Sequence, residues 1–152
     1  MWRVARRADD VAIVEMCGAL NREDPGPSPV SESQIRRTLE TLRAEPVRGI
    51  AVVLEVDGQI AGYAFLISFW SNEFGGEICE IDELFVVPSR RNAGHGQALF
   101  AALKRGELWP GPAVATSLIV RPDNARALEL YERLGFEPLG TSMIRQGSPR
   151  NA

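Results

Sequence analysis

Histidine is nearly absent from this chain of 152 residues, occurring once, at position 95. A histidine-based metal centre or a Ser-His-Asp triad has little to build on. Cysteine is scarce too. Cys17 and Cys79 lie far apart without metal-ligand spacing, and both are expected to be reduced, partly buried thiols. Long apolar runs are missing, because the longest, IAGYAFLISFW, falls well short of the ~20 residues that span a bilayer. The N-terminus, MWRVARRADD, lacks the apolar core of a secretory signal, so a cytoplasmic location and no membrane partner are expected. A strong net charge is missing as well. The formal balance is −3, which gives no basic field for nucleic acid. The remainder is ordinary, with 45% hydrophobic and 24% charged residues and length for one core. One domain is expected over residues 1–146, followed by a frayed tail over 147–152.

The hydrophobic pattern places the elements. WRVARR reads as a first strand, and DDVAIVEMCGAL carries Val14, Cys17 and Leu20 at helical spacing. NREDPGPSPV holds three prolines and reads as a loop. SESQIRRTLETL opens with Ser31 and Gln34 as a capping box, with Ile35, Leu39 and Leu42 on one face. GIAVVLEV and QIAGYAFLISFW flank Asp57-Gly58, a hairpin signal, and EICEIDELFVV continues the antiparallel series. A helix with Leu99 and Leu103 one turn apart follows, then the strand AVATSLIV. The helix NARALELYERLGF comes next, with Gly135 as its stop. FEPL and TSMIRQ read as short closing strands. The order β-α-α-β-β-β-α-β-α-β-β implies an α+β fold. Its mixed, mostly antiparallel sheet would have about six to seven strands, flanked by about four helices. Strict β-α alternation is missing, which counts against a dinucleotide-binding fold.

The stretch VVPSRRNAGHG is bare of side chain yet rich in charge, and it sits between a strand and a helix. Amides at a helix start have no internal partner and attract anions, and Gly94 and Gly96 would let a phosphate approach without meeting a Cβ. Arg90 and Arg91 add positive charge. A flexible turn with two solvated arginines is the plain alternative. No Lys-Ser/Thr pair follows for a P-loop, and no third glycine is placed for a Rossmann loop.

This stretch resembles motif A of the GNAT superfamily of N-acetyltransferases, Arg/Gln-x-x-Gly-x-Gly/Ala after a strand ending Val-x-Pro. Arg91, Gly94 and Gly96 match the loop; Val86 and Pro88 match the strand end. About thirty residues on, VRPDNARALELYERLGFEPLG is similar to motif B, with Asn-x-x-Ala, Leu-Tyr and Gly-Phe in order. The resemblance covers nearly the whole chain. Asn92 departs from it, standing where glycine is frequent, and the C-terminal end is short.

The resemblance implies a GNAT fold and an N-acetyltransferase that uses acetyl-CoA and needs no metal. The cofactor's pyrophosphate would lie on the amides of Arg91, Asn92, Ala93, Gly94, His95, Gly96 and Gln97. Free backbone groups near Phe85, Val86 and Val87 would hold the pantetheine and could stabilise an oxyanion. Asn124 matches a cofactor-contacting asparagine, with a plain helix cap as the alternative. Tyr131, two helical turns on, matches the tyrosine that protonates the departing thiolate. A base must also free the amine's lone pair. Glu83 and Asp82 are ranked first for that role, ahead of Glu80. Simple alternation would put Glu80 and Asp82 on one face and Glu83 on the other, and a bulge beyond them would alter this.

Trp70, Asn72 and Glu73, in FWSNEFGGE, are candidate acceptor contacts together with Glu80, and Glu23 and Asp24 form a second candidate wall. An aromatic among acids suits a small cationic amine as the acceptor. A peptide or protein amine is a rival, and a non-catalytic acyl-CoA-binding module is another. A homodimer is compatible with the fold, and nothing in the sequence requires it.

Overall fold

The computed structural model describes residues 1–109 and 113–147. It divides into two compact units, Met1–Leu118 and Ile119–Ala152. In the first unit, strand β1 (Trp2–Val4) and a single 3-10 turn (Arg7–Asp9) lead into helices α1 (Asp10–Glu23) and α2 (Glu32–Ala44). Strands β2 (Gly49–Val56), β3 (Gln59–Ser71) and β4 (Gly76–Val86) follow. Helix α3 (His95–Lys104) and strand β5 (Ala115–Leu118) close the unit. The five strands lie in chain order, antiparallel throughout except for the parallel β4–β5 pair.

Local chemistry accounts for these elements. Asp57 and Gly58 adopt φ of 51° and 74°, the paired positive values that a two-residue hairpin turn demands. Ser31 and Gln34 form the expected capping box: Gln34 N donates to Ser31 Oγ at 3.2 Å, and Ser31 N donates to Gln34 Oε1 at 2.7 Å. Alternation along β2 and β3 then gives the sheet two apolar faces. Val52, Leu54, Ala64 and Leu66 pack with Leu99, Ala102 and Leu103 of α3. Ala51, Val53, Tyr63 and Phe65 pack with Ile13, Met16 and Cys17 of α1 and with Ile35, Leu39 and Leu42 of α2. The Trp2 indole donates to the His95 carbonyl at 2.8 Å, which ties the start of α3 to the sheet edge.

The second unit contains helix α4 (Ala125–Arg133). Gly135, at φ 89°, ends it, and Phe136 N returns to the Tyr131 carbonyl at 3.0 Å. The closing strands expected in FEPL and TSMIRQ are not formed: residues 136–147 carry no strand, and the described sheet has five strands rather than six or seven. A strand exists only through a ladder partner. Pro138 removes a donor from a four-residue run, and Leu139, Met143 and Ile144 stay exposed. The tail expected over 147–152 lies, apart from Gly147, outside the described residues. No helix among the described residues is long and apolar enough to cross a membrane.

Candidate active site

Strand β4 changes character midway. From Ile78 to Ile81 it is paired with β3 on one side and with Ala115–Leu118 of β5 on the other. Past Ile81 the β5 ladder stops, while pairing to β3 continues to Val86. The register to β3 also slips at this point, since Leu66 faces Ile81 but Phe65 faces Glu83. Asp82 is the extra residue of this bulge.

The bulge sets which carboxylate goes where. Cys79 and Ile81 belong to the apolar face under α3, yet Phe85 belongs to the face under α1 and α2. Residues an even number apart share a face only in an unbroken strand. Because Asp82 is the inserted residue, Glu83 falls on the α1/α2 face with Tyr63 and Phe65. Glu80, paired with Ile67, lies on that face too. The simple alternation is therefore overturned: Glu80 and Glu83 share a face, and Asp82 does not pair with Glu80 across it.

Glu83 is half-buried, and its Oε2 accepts from the Tyr63 hydroxyl at 2.7 Å and from Cys17 Sγ at 3.8 Å. Burial pushes its carboxyl above the ordinary range; the Tyr63 and Cys17 hydrogen bonds pull it back, and the Asp82 charge pushes the same way as burial. Asp82 is exposed by surface area, yet the surrounding protein still raises its carboxyl by desolvation.

After β4, a 3-10 turn at Pro88–Arg90 leads to Asn92 at φ 61° and Gly94 at φ 77°. Gly94 stands at the N-cap of α3 and, as a glycine, brings no side chain of its own to the first-turn amides. A Cβ on Gly94 would meet nothing within 4 Å, so the loop is open on that side. The arginines do not face it as free charges. Arg91 is held by Glu23 through Nη1 at 2.5 Å and Nη2 at 2.7 Å, donates from Nε to the Val86 carbonyl at 2.7 Å, and stacks 5.3 Å over the Phe85 ring. Arg90 meets Asp57 at 3.1 Å. Two carboxylates thus offset the side-chain charge that the sequence offered to an anion.

Backbone direction narrows the pantetheine candidates. Val87 N donates to the Ala61 carbonyl at 2.9 Å, so Val87 points toward β3. Gly62 pairs with Val86, and antiparallel alternation then aims Phe85 at β3 and Val86 outward, with Leu84 following Val86. Arg91 takes the outward Val86 carbonyl, leaving the Val86 N–H on the side that β5 has vacated.

In the second unit, Asn124 Oδ1 accepts from Ala127 N at 3.2 Å, so it caps α4. Burial raises the Tyr131 phenol, and its ring meets Phe136 edge-on at 5.7 Å between centroids. Trp70, Asn72 and Glu73 sit at the other end of β4 from the glycine loop, where Trp70 is 69% exposed. Strand rise puts that turn roughly 20 Å from the bulge. The residue sequence reasoning missed is Tyr63. Its signal was legible: a hydroxyl in the middle of the apolar run AGYAFL needs a buried partner.

Residues 13–136 match the model of the Acetyltransferase (GNAT) family. An uncharacterized N-acetyltransferase of Methanocaldococcus jannaschii is 39% identical over 95 residues, 56% of this chain and 38% of that protein. One of Bacillus subtilis is 30% identical over 97 residues, 62% of this chain and 63% of that protein. The matches thus span less than two thirds of either curated relative. Among solved structures, a possible acetyltransferase from Clostridium difficile aligns with a TM-score of 0.81 at 21% identity, covering 99% of this chain and 98% of that one. A ribosomal-protein-alanine N-acetyltransferase from Brucella melitensis aligns with a TM-score of 0.73 at 15% identity, covering 97% and 99%. At these identities the likeness concerns the fold.

Proposed function

This chain belongs to the Acetyltransferase (GNAT) family, and from that premise we propose that it transfers acetyl from acetyl-CoA to the amine of a small cationic acceptor. One observation carries the reading. Past Ile81, β4 has lost its β5 partner, and after one 3-10 turn the chain enters a positive-φ loop and a helix start with glycine at the cap. Outward backbone groups for an extended chain and helix-start amides for phosphate follow one another between Leu84 and Gln97. This arrangement fits a nucleotide thioester. When bound, acetyl-CoA supplies the activated acyl group.

The amides of Asn92 to Gln97 bind the pyrophosphate, and the backbone of Leu84 and Val86 orients the pantetheine. The Val86 N–H is the candidate donor to the thioester carbonyl oxygen. Glu83 removes a proton from the acceptor ammonium, because a protonated amine has no lone pair to attack with. Glu80, on the same face, adds negative charge that favours a cation, as does the exposed Asp82. Tyr131 is the proposed proton donor to the leaving thiolate; its raised pKa keeps the proton in place until then. Residues 1–146 act as one acetyltransferase domain in this reading.

A peptide amine is the second reading. The exposed Phe69, Trp70 and Phe74 favour it, since they lie too far along β4 for a short acceptor held at Glu83 to reach.

Thermal stability with and without acetyl-CoA tests the proposal, in the native chain and in Gly94→Glu. Ligand at a hundred times its Kd stabilises by about 2.7 kcal/mol. The variant side chain enters the open cradle and abolishes that gain. An equal gain in the variant, or no gain in the native chain over a wide concentration range, overturns the reading.

A further inference from the structure

The proposed chemistry leaves one polar group on the face under α1 and α2 without a role. Tyr63 is fully buried, at 0% exposure, between Phe65 and Phe85, with ring centroids 5.3 and 6.3 Å away. Its hydroxyl reaches diagonally across the β3–β4 pair to Glu83 Oε2 at 2.7 Å, and Cys17 Sγ approaches the same oxygen from α1 at 3.8 Å. A buried tyrosine hydroxyl needs some partner. Here it has found the carboxylate that the bulge at Asp82 turned toward it.

We infer that Tyr63 is a positioning residue for Glu83, engaging Oε2 together with the Cys17 thiol so that Oε1 receives the acceptor's proton. The inference rests on the reading of Glu83 as the base. A half-buried carboxylate tends to take up a proton and become useless as a base. Among the described residues, Tyr63 from β3, Cys17 from α1 and Asp82 from its own strand act on the Glu83 carboxyl, and Glu80 shares its face of β4. The first two favour the ionised form, and Asp82 opposes it. Burial raises both donors themselves, pushing Cys17 up to about 12 and Tyr63 further, so each keeps its proton.

The proton balance is simple. One N–H bond of the acceptor ammonium breaks, its electron pair stays on nitrogen, and an O–H bond forms at Oε1. Glu83 becomes neutral and later returns that proton to water, while Tyr63 never releases its own.

The test is a carboxyl titration of Glu83 by carbon-13 NMR in the native chain, Tyr63→Phe and Cys17→Ala, with no acceptor needed. Tyr63→Phe keeps the ring packing and removes one donor to the carboxylate. Glu83 then holds its proton roughly tenfold more tightly, and its titration moves to higher pH. Cys17→Ala moves it the same way by less. An unmoved titration in Tyr63→Phe overturns the inference. If that variant does not fold, an unmoved titration in Cys17→Ala does so. On an acceptor found by a free-thiol assay of spermidine, lysine and a short peptide, the acid limb of kcat/KM moves with the titration. A tyrosine that merely packs would leave that limb in place. If the titration moves but Glu83→Gln retains turnover, the base reading fails and the positioning contact stands as a structural one.

Discussion

The two halves of β4 differ in almost every respect that matters. Gly76–Ile81 is regular, has β5 on its far side over Ile78–Ile81, and buries Ile78, Cys79 and Ile81. Asp82–Val86 pairs with β3 but lies past the end of the β5 ladder, begins at a bulge, and carries a half-buried carboxylate with a raised pKa. The first half spends its backbone hydrogen bonds on the sheet. The second keeps outward-facing groups for something else, because a backbone group already paired in a ladder cannot hold a ligand. One strand thus provides the anchor and, in the proposed reading, the site.

Substitutions can break this contrast or sharpen it. Glu83→Gln acts on the second half. Turnover falls about 100-fold, the usual contribution of a positioned base, while the acetyl-CoA-dependent stabilisation persists. Its stability against pH also carries a sign. A carboxyl raised in the folded state contributes nothing below the ordinary carboxylate pKa, where both states are protonated. As pH climbs from that ordinary value to the raised folded one, the unfolded chain ionises while the folded carboxyl stays protonated, and stability falls. The native chain therefore loses stability over that window relative to Glu83→Gln. Parallel curves in thermal melts across pH would contradict the shift.

Ile81→Ala acts on the first half, where the side chain is 4% exposed under α3. It costs about 3 kcal/mol in urea unfolding and leaves the ligand-induced stabilisation unchanged. Gly62→Ala crosses the boundary. Its new Cβ would stand 2.7 Å from the Phe85 carbonyl, a backbone atom that must shift. Overpacking there costs about 2 kcal/mol. Acetyl-CoA affinity falls as well, because Phe85 lies beside Val86; unchanged affinity would separate the strand's position from cofactor binding.

Much of the fold was legible in the sequence, for reasons that can be traced to single residues. Asp57-Gly58 announced a hairpin because few other pairs tolerate two positive φ values in succession. The Ser31 and Gln34 pair and the Gly135 stop are equally local. The closing strands were misread, because β propensity in FEPL and TSMIRQ says nothing about whether a ladder partner is available. The glycine loop was visible as a loop, but the pairing of Arg91 with Glu23, 68 residues away, was not.

The amino-acid order alone determined the family, the glycine loop and the cluster of acids on β4, since these are matters of residue type and short spacing. Only the tertiary structure decided which acid faces which neighbour. A one-residue slip at Asp82 exchanges the two faces of a strand, and no period-two pattern records where a slip will fall. The same holds for charge. Arg91 reads as a free cation until folding brings Glu23 to it, and Glu83 reads as a solvated acid until Tyr63 and Cys17 close around one of its oxygens. Contacts across dozens of residues set those states, and sequence spacing carries no term for them.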